Sequence, residues 1–212
     1  GVLQANAFIT SGMAKRCLVI GAETLSRVVD AHDRDSMIYA DGAGAAIIEG
    51  SDSETGMLSY ESGTFAIDEA NYLFFGKSYN QDLNPNTRYI KMYGRKIYEF
   101  ALSKVPAAMK SCLDKSGIEI NQVKKILIHQ ANEKMDEAII HRFYKLYGQT
   151  PPKDIMPMSI NELGNSSVAT VPTLYDLLTK GQIENHEIHK GDVIMFASVG
   201  AGMNVNAFVY RY

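Results

Sequence analysis

Near the start of the chain, Val2, Leu3, Ala7 and Phe8 recur at helical spacing, and Gly12 offers a C-terminal stop. The short unbroken apolar run "CLVIGAE" then predicts a buried strand. A polar loop, "SRVVDAHDRDSMIYADGAG", leads into a strand at "AAIIEG", and "GMLSYES" predicts another. Residues 63 to 89 are aromatic and polar without a steady period, which predicts a pocket-shaping or surface excursion. From Met92 onward, Ile97, Phe100, Ala101, Val105, Ala108, Met109 and Cys112 mark one face of a long helix. Pro106 lies within it, lacks an N–H and crowds the preceding turn, so a bend or a division is expected there. "KKILIHQ" predicts a buried strand, after which Asn132 can cap a helix with Met135, Ile139, Phe143 and Leu146 on its inner face, ended by Gly148 and "TPP". Asn165 precedes a helix through Leu174, Leu177 and Leu178, and "VIMFASVG" and "NVNAFVYRY" predict the last two strands.

Helices alternating with buried strands are the pattern of layered α/β proteins. Two blocks also repeat one order of helix, buried strand, Gly-rich turn and strand: "GVLQANAFITSG", "CLVIGAE", "DGAGAAIIEG", and again "SSVATVPTLYDLLTKG", "VIMFASVG", "AGMNVNAFVY". That is an internal duplication at low identity. If a pseudo-twofold relates the halves, the helix after Asn165 matches the helix containing Gly1. The chain has no Met at its start and opens inside a helical pattern, so it is expected to be a fragment. A residue upstream of Gly1 would then face Asn165 across the axis.

Composition narrows the function classes. The 212 residues are 46% hydrophobic and 21% charged, with a formal net charge of -3, as expected for a globular protein with a substantial core. Lys and Arg are scattered and form no basic stripe, which argues against nucleic acid as a partner. No apolar run approaches the length of a membrane span and no leader pattern opens the chain, so neither a membrane partner nor export is expected, and the cytoplasm is the expected location. Two cysteines, Cys17 and Cys112, fit apolar faces and a reducing compartment better than a disulfide framework.

Candidate chemistry starts with "IHQAN", where His129 stands at the end of a buried strand. By itself such a histidine is more often a satisfied polar residue, and Asn165 by itself is first a helix cap. His186 and His189 lie three apart, outside the spacing of a zinc helix, and a solvated loop is expected with no metal. "DGAGAA" lacks the third glycine of a dinucleotide loop and precedes a strand, so that reading fails. His32 and His141 read as surface residues.

Four motifs in order, "SGMAKRCLVIGAETLSRVVDAHDRDSMIYADGAGAAII", "IHQAN", "GNSS" and "SVGAGMN", resemble β-ketoacyl-acyl carrier protein synthase III, a condensing enzyme of thiolase-like fold. The resemblance covers nearly the whole chain and is weakest across 63 to 89. It implies an α/β thiolase-like fold with residues 1–89 as the tail of an N-terminal half and 90–212 as the C-terminal half. It also implies a nucleophilic Cys about six residues upstream of Gly1, roughly one and a half to two helical turns, a place that neither Cys17 nor Cys112 occupies. His129 and Asn165 are implied as donors to the thioester oxygen of malonyl carrier protein during decarboxylation. The turn Gly200-Ala201-Gly202 is implied to complete an oxyanion hole, although Ala201 stands where the family usually has glycine, and alanine tolerates positive φ poorly.

Acyl-CoA and malonyl-acyl carrier protein are the implied substrates, with no cofactor, and a homodimer is implied. Lys134 takes the place of a basic residue that docks the acidic carrier. Glu99 stands where a second docking position is usually basic, with Arg95 and Lys96 one turn earlier. Alternatives are a thiolase-fold relative making a secondary metabolite, or a catalytically silent partner subunit, which would lack the upstream Cys.

Overall fold

A computed structural model describes residues 1–212. Helix α1 (Val2–Thr10) leads into the antiparallel pair β1 (Arg16–Thr24) and β2 (Asp41–Glu49), followed by β3 (Gly56–Thr64). The excursion then closes on itself as an antiparallel ribbon of β4 (Leu73–Gly76) and β5 (Tyr89–Met92). The remaining elements are α2 (Gly94–Ser116), β6 (Val123–Ile128), α3 (Glu133–Lys145), α4 (Ile160–Leu163), α5 (Thr170–Thr179), β7 (Val193–Gly200) and β8 (Asn204–Arg211). The main sheet has the order β3-β8-β7-β6; β6 and β7 run parallel and the other neighbours antiparallel.

Side-chain alternation along β6 and β7 builds the layers. Ile126, Ile128, Met195 and Ala197 face a core shared with α2 and α3, whereas Leu127, Ile194 and Phe196 face the opposite side, where Leu174 and Leu178 of α5 pack. Helix α5 also lies on β2 and so separates the two sheets, while α1 lies on β1 and β2. Both α1-β1-β2 and α5-β7-β8 are a helix followed by an antiparallel pair, the repeated order legible in the sequence.

Several expectations change in detail. Strand β1 is not continuously buried: every second residue is exposed, including Leu18 and Ile20. "DGAG" is not a turn but the first half of β2. Its glycines allow close approach, because a Cβ on Gly42 would sit 2.8 Å from the Ser166 Cβ and one on Gly44 would sit 2.7 Å from the Pro172 Cγ. Strand β3 pairs antiparallel with β8 and so joins residues 56–64 to the main sheet.

Helix α2 runs undivided through Pro106. The ring leaves the Leu102 carbonyl without its usual donor four residues on, and the Arg142 Nη1 of α3 donates to that oxygen at 3.2 Å. On α3 itself, Met135, Ile139 and Phe143 are buried as expected, but Leu146 is exposed and Ile140 and Tyr144 complete the inner face. No helix is long and apolar enough to cross a membrane.

Candidate functional site

The parallel pair β6 and β7 brings two of the motifs to one end of the main sheet. Ile128 pairs with Ala197, the His129 N–H donates to the Ala197 carbonyl at 2.9 Å, and Gly200 ends the same β7 strand. Carboxyl ends of adjacent parallel strands, where the chain departs in different directions, are the usual crevice of α/β folds. After His129 the chain turns into α3, one of whose orphan N–H donors is met by Asn132: its Oδ1 accepts the Met135 N–H at 3.2 Å.

Asn165 arrives from another direction. It pairs with Tyr39 in an isolated parallel bridge, its N–H donating to the Ile38 carbonyl at 2.8 Å and its carbonyl accepting the Ala40 N–H at 2.9 Å. Gly164 makes this approach feasible at φ 68 and ψ -169, where a Cβ would lie 3.0 Å from the Ala40 Cβ. The side chain of Asn165 is buried, and its Oδ1 accepts the Ser167 N–H at 2.9 Å. With the oxygen so engaged, the carboxamide NH2 is the end left without a protein partner.

His129 is half-buried, and loss of hydration pushes its imidazole down to about 4, although an interaction with the Ser167 backbone pulls the other way. The ring is therefore neutral around pH 7. Ser167 thus orients the Asn165 carboxamide and lies near the His129 ring, and it does so from a left-handed backbone at φ 54. Nothing in the sequence signals that role beyond two serines following Asn165.

The turn after β7 resolves the concern over Ala201. Its backbone is not left-handed; the positive φ values fall on Gly202, at 70, and on Met203, at 53. Met203 is fully buried, and its carbonyl accepts the Phe65 N–H at 3.0 Å, so packing and a hydrogen bond hold it there. The Asn204 Nδ2 donates to the Ala201 carbonyl at 2.8 Å, closing the turn.

Lys134 is exposed on the first turn of α3 and makes no ion pair, while Glu99 is paired with Arg95 at 2.8 Å on the surface of α2. Behind the "IHQAN" segment lies a residue that sequence reasoning missed. Asp136 is fully buried, neither carboxyl oxygen has a hydrogen bond, and burial pushes its pKa up to about 8, with Glu133 and Glu137 raising it further and the backbone of Asn132 and Ala131 offsetting only part of the rise.

The two cysteines are not arranged as nucleophiles. Cys112 is fully buried on α2, where burial raises its thiol, and Cys17 is half-buried on β1. His189 lies 3.5 Å from the exposed Glu187, and no three His, Cys, Asp or Glu side chains converge as a metal site.

Residues 1–65 match the family described as 3-Oxoacyl-[acyl-carrier-protein (ACP)] synthase III, and residues 113–212 match its C-terminal part. The chain is 30% identical over 220 residues to the β-ketoacyl-[acyl-carrier-protein] synthase III of Prochlorococcus marinus, covering 100% of this chain and 62% of that protein. It is 33% identical over 219 residues to the protein of the same name from Porphyra umbilicalis, covering 100% of this chain and 64% of that one. Among solved structures, the 3-oxoacyl-[acyl-carrier-protein] synthase III of Aquifex aeolicus VF5 superposes with a TM-score of 0.82 at 29% identity, covering 100% of this chain and 62% of that chain. The fold is thiolase-like. The chain spans less than two thirds of the length of these relatives.

Proposed function

This chain belongs to the 3-oxoacyl-[acyl-carrier-protein] synthase III family, and on that premise we propose that its residues supply the decarboxylating side of a condensing site. In this reading an acyl group from acyl-CoA is held as a thioester on a cysteine outside these 212 residues, at the N-terminal side of α1. A thiol there gains thiolate character from the free N–H groups and dipole of the helix. Malonyl-acyl carrier protein then loses CO2, and the electron pair of the broken C–C bond becomes an enolate. The neutral imidazole of His129 and the carboxamide NH2 of Asn165 donate to its thioester oxygen, each worth about 3 kcal/mol of barrier in a dry site. The carbanion attacks the acyl thioester, a C–C bond forms, and the thiolate leaves the β-ketoacyl product. The N–H at Ala201, in the turn Gly200-Ala201-Gly202, is the chain's own contribution to the oxyanion hole of that attack.

The chemistry calls for no cofactor beyond the two thioesters. Lys134 attracts the acidic carrier at the rim, and the working protein is a cytoplasmic homodimer in which residues 1–89 and 90–212 belong to two related halves.

The observation that carries this reading is the orientation of Asn165, whose oxygen is taken by Ser167 and whose NH2 remains to donate. The test separates half-reactions in a full-length protein containing these residues. His129→Ala and Asn165→Ala should each lower malonyl decarboxylation, followed as CO2 release, by about 10²-fold or more, while acylation followed by intact mass stays measurable. Equal loss of acylation in both variants would overturn the division of roles. The 212-residue chain itself should gain no acyl group from acyl-CoA; stable labelling of Cys17 or Cys112 contradicts the assignment.

A further inference from the structure

The segment that pairs with Asn165 has little apolar anchorage of its own. Its 3₁₀ helix, Arg34–Ile38, buries no residue, and Met37 is 79% exposed. What fixes it is polar and lies on β5. Lys91 is 3% exposed, and its Nζ donates to the Asp30 Oδ2 at 2.6 Å and to the Asp33 Oδ2 at 2.8 Å, while sitting 3.7 Å from the centre of the Tyr79 ring. Asp30 is saturated by three more donors: the His32 N–H at 3.0 Å, the Ser78 hydroxyl at 2.9 Å and the Tyr79 N–H at 2.9 Å. Burial opposes ionisation of Asp30, but Lys91 and these donors outweigh it and hold the carboxyl below its usual range.

Asp33 divides its two oxygens. Oδ2 meets Lys91, and Oδ1 caps the 3₁₀ helix by accepting the Asp35 N–H at 3.1 Å. The other end of that helix also rests on β5, since the Tyr39 hydroxyl donates to the Met92 Sδ at 3.7 Å. Neighbouring residues of one strand therefore hold both ends of a single short helix. Its last residue and the segment just after it supply the Ile38 carbonyl and the Ala40 N–H, which fix the backbone of Asn165.

We propose that the buried cluster of Lys91, Asp30 and Asp33 is a positioning device for Asn165, setting through the Arg34–Ile38 helix where the carboxamide NH2 is delivered. The proposal rests on the donor role assigned to Asn165 above. A buried ion pair contributes little net stability compared with apolar packing, but it fixes one arrangement because a broken pair leaves a buried charge. Lys91 and Asp33 touch no substrate in this scheme. They act through the helix.

The test uses the full-length protein with Lys91→Met and, should that variant fold poorly, Asp33→Asn, which keeps a capping oxygen but weakens the charge pair. Cys112→Ala serves as a control that opens a cavity in the main core away from this cluster. The expected result is a fall in kcat for malonyl decarboxylation of about 10- to 10²-fold, with KM for the malonyl thioester and the rate of acylation changed much less. Amide hydrogen exchange should speed up at residues 38–40 and 165 in both cluster variants. Cys112→Ala should alter neither the ratio of half-reactions nor exchange at 38–40. Unchanged exchange at 38–40 and 165 overturns the proposal whatever the activity, as does unchanged decarboxylation in Lys91→Met and Asp33→Asn when Asn165→Ala lowers it, and this second outcome leaves the donor role intact. If Asn165→Ala itself leaves decarboxylation unchanged, the donor role fails first and the positioning role falls with it.

Discussion

Ser167 donates its backbone N–H to the Asn165 Oδ1 at 2.9 Å, and this contact decides which end of the carboxamide is available to a ligand. Were the amide reversed, two donors would face each other and an acceptor would point into the site. The neutral His129 ring, against the backbone of the same Ser167, has a neighbour that is already oriented. In the proposed reading, two donors held near one residue on a strained turn need little rearrangement when charge develops on a ligand oxygen.

The first prediction concerns acid. Folding holds the His129 imidazole at about 4 against an ordinary 6.5, so between these values the unfolded chain takes up a proton that the folded chain does not. Its contribution to stability is thus lost as pH falls through that window, by at most about 1.36 kcal/mol per pH unit. Urea titrations of the 212-residue chain and of His129→Gln at pH 7 and pH 4.5 should show a smaller acid loss in the variant.

Asp136 runs the other way. Its folded carboxyl is held at about 8 against an ordinary 3.8, so the folded state binds the extra proton and wild-type stability falls as pH rises through that interval. Asp136→Leu, which removes an unsatisfied buried acid, should raise stability by roughly 1–3 kcal/mol or more at pH 7.5 and by less at pH 4. A larger gain at pH 4 than at pH 7.5 contradicts the buried, unpaired placement.

Gly164 offers a backbone test. At φ 68 and ψ -169 the conformation is nearly restricted to glycine, and an added Cβ would meet the Ile38 carbonyl at 3.3 Å as well as Ala40. Gly164→Ala should cost about 1–3 kcal/mol in denaturant melts, and in a full-length protein it should reduce decarboxylation more than acylation because Asn165 is displaced.

In the turn after β7 the susceptible position is Gly202 and not Ala201. Ala201→Gly should leave stability and condensation within a few-fold of wild type. Gly202→Ala places a Cβ 3.0 Å from the Asn204 Nδ2 at positive φ and should lower both. Melting curves and condensation rates of the two variants, taken side by side, decide between them.

For carrier docking, Lys134 is exposed and unpaired, so its effect should be long-range and screened. Lys134→Glu should raise KM for malonyl-acyl carrier protein by more than about tenfold at low salt, with a smaller effect at high salt and on acyl transfer from CoA. Glu99→Lys, which also frees Arg95 from its partner, should improve use of an acidic carrier. Unchanged carrier kinetics across salt would leave Lys134 an ordinary solvated residue.

The elements most legible in the sequence were those whose signals are local. Asn132 before an apolar helical period announced a cap, and the Asn132–Met135 hydrogen bond is that cap. The four ordered motifs gave the family and the fold. What escaped depended on distant partners. Gly42 and Gly44 read as a turn because glycine marks both turns and close approaches, and only the packing of Ser166 and Pro172 tells them apart. Lys91 and Asp30 lie 61 residues apart, and nothing in either neighbourhood announces the other. Asp136 sits at a helical position whose burial depends on what covers α3, so its charge suggested nothing unusual.

Helix α2 carries a consequence for the order of assembly. Its turn before Pro106 is completed by Arg142, 40 residues away, and that guanidinium reaches the Leu102 carbonyl only with α3 docked on α2. Closing so long a loop comes after local helix formation. The longest helix of the chain should therefore mature from its C-terminal half, with the turn around Leu102 among the last places in it to gain protection during refolding, waiting on a neighbour for the donor that its own sequence omits.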